Sequence, residues 1–327
     1  MRPIFLLTVL LSFLGFSQIT PPSELQTYYS GVDFSKTGND LYTDLATTTI
    51  AKHTTFLDYS DRHDFLYDAD ADPNNTSNVV LIYSGESRPD NQWLSGLNPD
   101  SPQTYNTEHV YPRSLLDNSN AEADLHLLRV CDISVNSSRG NNPFTTGSGN
   151  YSSTGSAWYP GDDWRGDVAR IIMYVNLRYN ESFNDVGSLS LFLDWNAADP
   201  VSAIELNRNN HIESAQGNRN PFIDNPYLAT LIWGGTTAEN RWNSLSVNDY
   251  NLNQIALYPN PLRGNTLYIN TKSTLSVEIF NIMGKSIINQ NISSNNNTIN
   301  VEYLNNGVYF IKLSNEFNTV IKKLIKK

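Results

Sequence analysis

Residues 105–144 read YNTEHVYPRSLLDNSNAEADLHLLRVCDISVNSSRGNNPF, and the turn formers among them mark out a strand, a long loop, a second strand and a short helix. The first strand carries Glu108-His109 and stops near Pro112, because proline has no amide proton to give a neighbouring strand. The second lies in the apolar-rich run from Leu125 to Ile133. Asp132 can cap a helix and Gly140 can end one, so Ile133 to Arg139 is predicted to make about two helical turns. Asn136 and Arg139, at i and i+3, then share one face.

These residues carry the parts that phosphodiester hydrolysis needs: a base for water, a cation to absorb charge, and a group to hold the phosphate. His109 titrates in the useful range, Glu108 and Asn136 offer oxygens suited to a hard cation, and Arg139 can grip a phosphate with two parallel contacts. Neighbours in a strand point to opposite faces, so Glu108 and His109 reach one site only at a strand end or bulge. The plain alternative for His109 is a structural histidine. Asp124 and His126, at i and i+2, share a strand face and either orient His109 or satisfy each other.

Outward from this stretch, residues 24–243 mix helix and strand signals, which predicts an α+β unit. Leu41 and Leu45 suggest an early helix after Asn39, and Val79 to Tyr83 a strand. Val168, Ile171, Ile172 and Val175 form the stripe of an amphipathic helix, and Asp199-Pro200 is read as the start of another. Arg165 and Arg170 on the striped helix are phosphate candidates, with solvated or salt-bridged arginines as the alternative. Asn218-Arg219-Asn220 reads as a turn, and Asp68, Asp70 and Asp72 as a solvated acidic loop, since the glycine and distal glutamate of a calcium-binding hand are missing. His53, His63 and His211 lack partners at ligand spacing.

Residues 244–257 are a predicted linker, ending at Tyr258-Pro259-Asn260-Pro261. Beyond it, Leu267 to Ile269, Val277 to Phe280 and Val308 to Leu313 alternate as strands of a small all-β sandwich over 258–327. At the other end, residues 1–17 read as a cleaved signal peptide with an apolar run too short for the roughly 20 residues that span a bilayer. No later stretch is apolar enough to span, and a secreted or cell-surface protein follows. Cys131 is the only cysteine, so no disulfide forms within the chain, and its apolar setting predicts a buried thiol.

Charge complicates the picture. The total is −11; the leader contributes +1 and residues 252–327, with eight basic and three acidic side chains, +5, which leaves the region between them at −17. A polyanion substrate normally leaves a basic footprint, so weak, salt-sensitive or cation-assisted binding is predicted.

Glu108-His109-Val110-Tyr111-Pro112, Asp124-Leu125-His126 and Val135-Asn136-Ser137-Ser138-Arg139-Gly140-Asn141 together strongly resemble the endonuclease I family of the ββα-metal, or His-Me finger, nucleases. Further matching blocks are Arg165-Gly166-Asp167-Val168-Ala169-Arg170, Trp195-Asn196, Pro200-Val201 and Gln216 to Asp224, all in order. The resemblance implies a ββα-metal fold with additional helices. It implies one magnesium-type ion on Glu108 and Asn136, with calcium and manganese as alternatives, and His109 as general base. It further implies 5′-phosphate products, little sequence preference on DNA, and often activity on RNA. Some family members place a transition-state arginine in the loop after the Glu-His block; that loop is short here and its only arginine is Arg113, so Arg113, Arg139 and Arg165 compete for the phosphate role. The tail resembles a type IX secretion sorting domain through Tyr258-Pro259-Asn260-Pro261, Ile282-Met283-Gly284-Lys285, Asn306-Gly307-Val308-Tyr309 and its lysine-rich end. Such tails are read by outer-membrane export machinery. Against the nuclease stand two other functions: a catalytically inactive binding or adhesion protein on the same fold, and a phosphodiesterase for a small substrate, which would relieve the acidity.

Overall fold

The computed structural model describes residues 19–242, 255–271, 274–293, 296–314 and 319–327. It divides into two compact units, residues 1–242 and 243–327. The predicted signal peptide and most of the predicted linker lie outside the described residues.

The first unit opens with α1 (Gly38–Lys52), whose Leu41 and Leu45 are fully buried, and continues through a 3-10 turn (Tyr59–Arg62) into α2 (His63–Ala69). Three short antiparallel strands follow, β1 (Ala71–Asp72), β2 (Asn75–Val80) and β3 (Ser87–Pro89), in the order β1-β2-β3. The strand predicted over Val79 to Tyr83 stops at Val80; Tyr83 takes a left-handed φ of 71°, which no strand tolerates, while Leu81 to Tyr83 stay buried. Next come β4 (Tyr105–His109), β5 (Leu128–Asp132) and α3 (Ile133–Arg139). β4 and β5 pair antiparallel, with Glu108 opposite Arg129 and His109 opposite Leu128. The strand, loop, strand and helix order matches the sequence expectation.

A two-stranded ribbon, β6 (Ser152–Ser153) and β7 (Trp158–Tyr159), leads to α4 (Arg165–Tyr179), α5 (Leu189–Ala198), α6 (Ala203–Gln216), α7 (Pro221–Asp224) and α8 (Tyr227–Trp233). α4 was expected to bury one stripe. It is instead buried nearly all round, because Ala169, Met173, Tyr174 and Leu177 also meet neighbours and Asp167 and Arg170 find buried partners. The helix expected at Asp199-Pro200 begins later: Ser202 caps α6, accepting from the amide of Glu205, whose carboxylate accepts from the Ser202 amide. Asp199 ends α5 and accepts from the Gly166 amide.

The acidic stretch 68–72 is a second correction. Asp68 is exposed, but Asp70 is fully buried, 2.8 Å from Arg129 and 2.5 Å from Arg208, and its carboxylate also accepts from the Val130 amide. Asp72 is buried as well, accepting from the Asn74 amide. Asn218 to Asn220, expected as a turn, instead form a link from α6 to α7 whose Asn220 is extended, with Arg219 paired to Asp224 and Asn220 capping α7. Cys131 is buried, as expected, and burial pushes its thiol well above the ordinary range.

The second unit is all-β. One antiparallel sheet runs β11-β10-β13-β14 and the other β12-β9-β8, with β8 Leu257–Tyr258, β9 Thr266–Ile269, β10 Leu275–Asn281, β11 Ser286–Ile292, β12 Thr298–Asn300, β13 Gly307–Ser314 and β14 Thr319–Lys326. Leu267, Ile269, Val277, Ile279, Ile311 and Leu313 alternate inward to make its core, the period-2 pattern of a sheet with one wet face. Gly284 at φ 80° closes the Ile282 to Lys285 turn between β10 and β11. Among the described residues no helix is long and apolar enough to cross a membrane.

Candidate active site

The site grows from the end of β4. Alternation along this strand sends Asn106 and Glu108 to one face and Thr107 and His109 to the other. α3 packs on the first face. Its start is fixed by Asp132, whose carboxylate accepts from the amides of Ser134 (2.8 Å) and Val135 (3.0 Å), and its end by Gly140 at φ 54°. This phase turns both Asn136 and Arg139 toward β4.

Asn136 donates through Nδ2 to Asn106 Oδ1 (2.8 Å) and to the Thr107 carbonyl (3.2 Å). Only an amide nitrogen can donate to these acceptors, so the contacts fix which end of Asn136 is its oxygen. Glu108 is buried. Its Oε1 accepts from the Tyr83 hydroxyl at 2.9 Å and lies 3.2 Å from Arg139 Nε. Burial raises the carboxyl to about 6, against the opposing pull of Arg139 and of the Tyr83 hydrogen bond. Arg139 itself is 1% exposed and spends its remaining nitrogens on the carbonyls of Gly140 (2.6 Å) and Val110 (2.7 Å).

His109, half-buried on the other face, lies with Nε2 3.0 Å from the Glu122 carbonyl oxygen. A carbonyl accepts only, so Nε2 carries the proton and Nδ1 the lone pair in the neutral ring. Burial lowers the imidazole to about 4; Arg113 and Arg62 push the same way, while the carbonyl and carboxylate of Glu122 oppose them. At neutral pH the ring is therefore in its basic form. Its plane lies 25° from that of Tyr59, with centroids 5.3 Å apart.

The other sequence candidates divide sharply. The sequence left Asp124 and His126 a choice of roles, and they sit in a buried turn away from His109: Asp124 accepts from the hydroxyls of Tyr174 and Tyr179 and from Gln216 Nε2, and His126 Nε2 meets the Asn218 carbonyl at 3.2 Å. The group orienting His109 is the main chain of Glu122, which no side-chain motif could reveal. Arg170 is fully buried against Glu205, Asn196 and the Asp199 carbonyl, so it presents nothing to a phosphate. Arg139 is equally enclosed. Arg165 pairs with Asp162 at 3.4 Å near the start of α4. Arg113, 59% exposed, pairs with Glu122 Oε1 at 2.5 Å and keeps an open edge beside His109. Tyr59, Arg62, Tyr83 and Glu122 are the neighbours that sequence reading missed; three come from distant segments, and only the fold brings them here.

The endonuclease I family model matches residues 37–227, more than half of the chain. This chain belongs to the endonuclease I family. It resembles the extracellular ribonuclease of Bacillus subtilis (strain 168), at 38% identity over 239 residues that cover 65% of this chain and 80% of that protein. The extracellular ribonuclease of Bacillus amyloliquefaciens is 37% identical over 241 residues, 66% of this chain and 81% of its own length. Residues 256–327 match the secretion system C-terminal sorting domain, the type IX tail expected from the sequence. The protein is a secreted nuclease, a hydrolase whose substrate is nucleic acid, with the endonuclease I domain carrying the chemistry and the β-sandwich tail the export signal.

The donor set bears on the metal dependence general in this family. Among the described residues there is no cluster of three or more His, Cys, Asp and Glu side chains. Glu108 and Asn136 would offer a different set, one carboxylate and one amide oxygen, of the kind a hard cation takes together with water. The Tyr83 hydrogen bond and the Arg139 ion pair fall on Glu108 Oε1, and the two hydrogen bonds of Asn136 fall on Nδ2, which leaves Oε2 and Asn136 Oδ1 outside these contacts.

Proposed function

We propose that this secreted nuclease cleaves DNA and RNA endonucleolytically with little sequence preference, using His109 as general base and one magnesium-type ion held by Glu108 and Asn136. The observation that carries this reading is the contact between His109 Nε2 and the Glu122 carbonyl, which leaves Nδ1 as a neutral base at the end of β4. The names of the two Bacillus relatives favour RNA among the substrates.

β4 ends at His109, so a phosphate approaching the strand end has the base on one face and the oxygen ligands on the other. His109 Nδ1 takes a proton from water as the water oxygen bonds to phosphorus and the bond from phosphorus to the 3′-oxygen breaks. The phosphate stays on the 5′ side, and the 3′-oxygen leaves as a hydroxyl after gaining a proton from solvent. A bound magnesium-type ion supplies the positive charge that the phosphate and departing oxygen require. Arg139 and Tyr83 hold the Glu108 carboxylate in place, and Arg113 offers its open edge to a phosphate. Binding assisted by a cation also suits a catalytic region as acidic as this one.

Incubating the purified protein with plasmid DNA and with RNA, with magnesium or with excess chelator, tests the reading. Cleavage of both polymers that stops with chelator and yields 5′-phosphate ends is expected. Undiminished cleavage in chelator, or 3′-phosphate ends, overturns it.

A further inference from the structure

We propose, on the reading of His109 as the base, that Tyr59 braced by Arg62 is a positioning residue that locks the His109 imidazole in the plane it needs for catalysis. One hydrogen bond holds that ring, from Nε2 to the Glu122 carbonyl at 3.0 Å. A single anchor leaves an imidazole free to swing about the axis of the bond, and the swing moves Nδ1. A neighbouring ring lying nearly parallel removes that freedom, and Tyr59 is such a ring, tilted 25° from His109 with centroids 5.3 Å apart.

Tyr59 is itself held. The Arg62 guanidinium lies 3.8 Å from the centre of its ring, close enough for a strong cation-π contact. Arg62 is tied at two points, by Nη1 to the Tyr59 carbonyl (2.5 Å) and by Nε to Thr107 Oγ1 (2.9 Å). Thr107 stands two residues before His109 on β4 and so projects from the same face. The contacts therefore close a circuit: His109 against Tyr59, Tyr59 under Arg62, Arg62 on Thr107, and Thr107 back to His109 through the strand. The Tyr59 hydroxyl takes no part in it. Asp58 and Asp61 fix the turn that carries Tyr59, the Asp58 amide donating to Asp61 Oδ2 at 3.3 Å and the Asp61 amide to the Asp58 carbonyl at 2.9 Å. A 3-10 turn far upstream of the Glu-His block thus fixes the ring plane of a base that the Glu122 carbonyl anchors.

The test is steady-state cleavage of DNA and of RNA by the full chain with magnesium, comparing the parent with Tyr59→Ala, Tyr59→Leu, Tyr59→Phe, Arg62→Met and His109→Ala. Loss of the stacking plane in Tyr59→Ala and Tyr59→Leu is expected to lower kcat on the order of 30-fold with KM within about threefold, since misplacing a catalytic group costs up to about a hundredfold. Tyr59→Phe, which keeps the ring and drops the hydroxyl, brings kcat back to within about threefold of the parent. Arg62→Met loosens the brace and lowers kcat by about fivefold; being partly exposed, it stands in for Tyr59→Ala if that variant melts below the assay temperature. Parent-like kcat in Arg62→Met and the Tyr59 variants beside an inactive His109→Ala overturns the brace alone. Parent-like cleavage by His109→Ala overturns the base as well. A rise confined to KM, or a loss in Tyr59→Phe equal to that in Tyr59→Ala, makes Tyr59 a substrate contact or a hydroxyl donor and also overturns the proposal.

Discussion

The Glu122 carbonyl oxygen stands 3.0 Å from His109 Nε2 and assigns the two nitrogens of that ring different work. With Nε2 donating, Nδ1 is the nitrogen that takes a proton from water. Replacing His109 with alanine should lower kcat by about 10²–10⁴, the usual contribution of a positioned base, with little change in KM. Single-turnover cleavage measures this directly. A His109→Ala enzyme within tenfold of the parent, by the ~10²-fold floor for such catalysis, would mean that another group activates water.

Arg139 yields a different expectation from the one its motif suggests. It is buried beside a buried carboxylate, so truncating it leaves Glu108 without its cation. Arg139→Met should cost about 3–5 kcal/mol of stability, as removing one member of a buried pair does, and raise the Glu108 carboxyl further above about 6. Urea unfolding checks the first effect. A parent-like midpoint with weakened substrate binding would instead return Arg139 to the phosphate.

What the sequence could reveal follows from how local each feature is. Asp132, Gly140 and Pro112 act within a few residues of themselves, so the strand, loop, strand and helix order and the shared face of Asn136 and Arg139 were legible. The partners of those residues were not. Arg139 and Arg170 read as candidates to hold phosphate because nothing nearby in sequence shows that Glu108 and Glu205 lie buried against them. Asp70 read as solvated for the same reason: its partners Arg129 and Arg208 are 59 and 138 residues away. The group that orients His109 is a backbone carbonyl, present at every residue and identifiable only from the fold.

Acid should weaken the fold through His126. Burial lowers its imidazole from 6.5 to about 4, although Asp124 and the Asn218 carbonyl favour the charged form. Between those values the unfolded chain binds a proton that the folded chain refuses. Its contribution to stability is therefore complete above pH about 6.5 and is lost as pH falls toward 4, a change of the order of 1–3 kcal/mol. Denaturant melts at several pH values should show this slope in the parent and a shallower one in His126→Gln. Equal slopes would place the acid sensitivity in His53, His63 and His109, which burial also lowers.

Asp70 offers the sharpest stability test because one carboxylate serves two buried arginines. Arg129 lies 2.8 Å from it and Arg208 2.5 Å, both almost fully enclosed, and its other oxygen accepts from the Val130 amide at 2.9 Å in β5. Arg208 also donates to the carbonyls of Leu125 and Leu128, so the cluster ties α6 and the end of α2 to the strand that pairs with β4. Asp70→Asn keeps the size and the oxygen that can accept from Val130 but removes the charge. Two cations then remain where one anion balanced them, with Asp167 still beside Arg129 at 3.2 Å. The expected loss is about 3–5 kcal/mol, as for breaking any buried pair, and it should exceed that of Asp68→Asn, whose carboxylate is exposed. Comparing urea midpoints of the two variants decides the matter: equal, small effects would restore the solvated acidic loop that the sequence alone suggests.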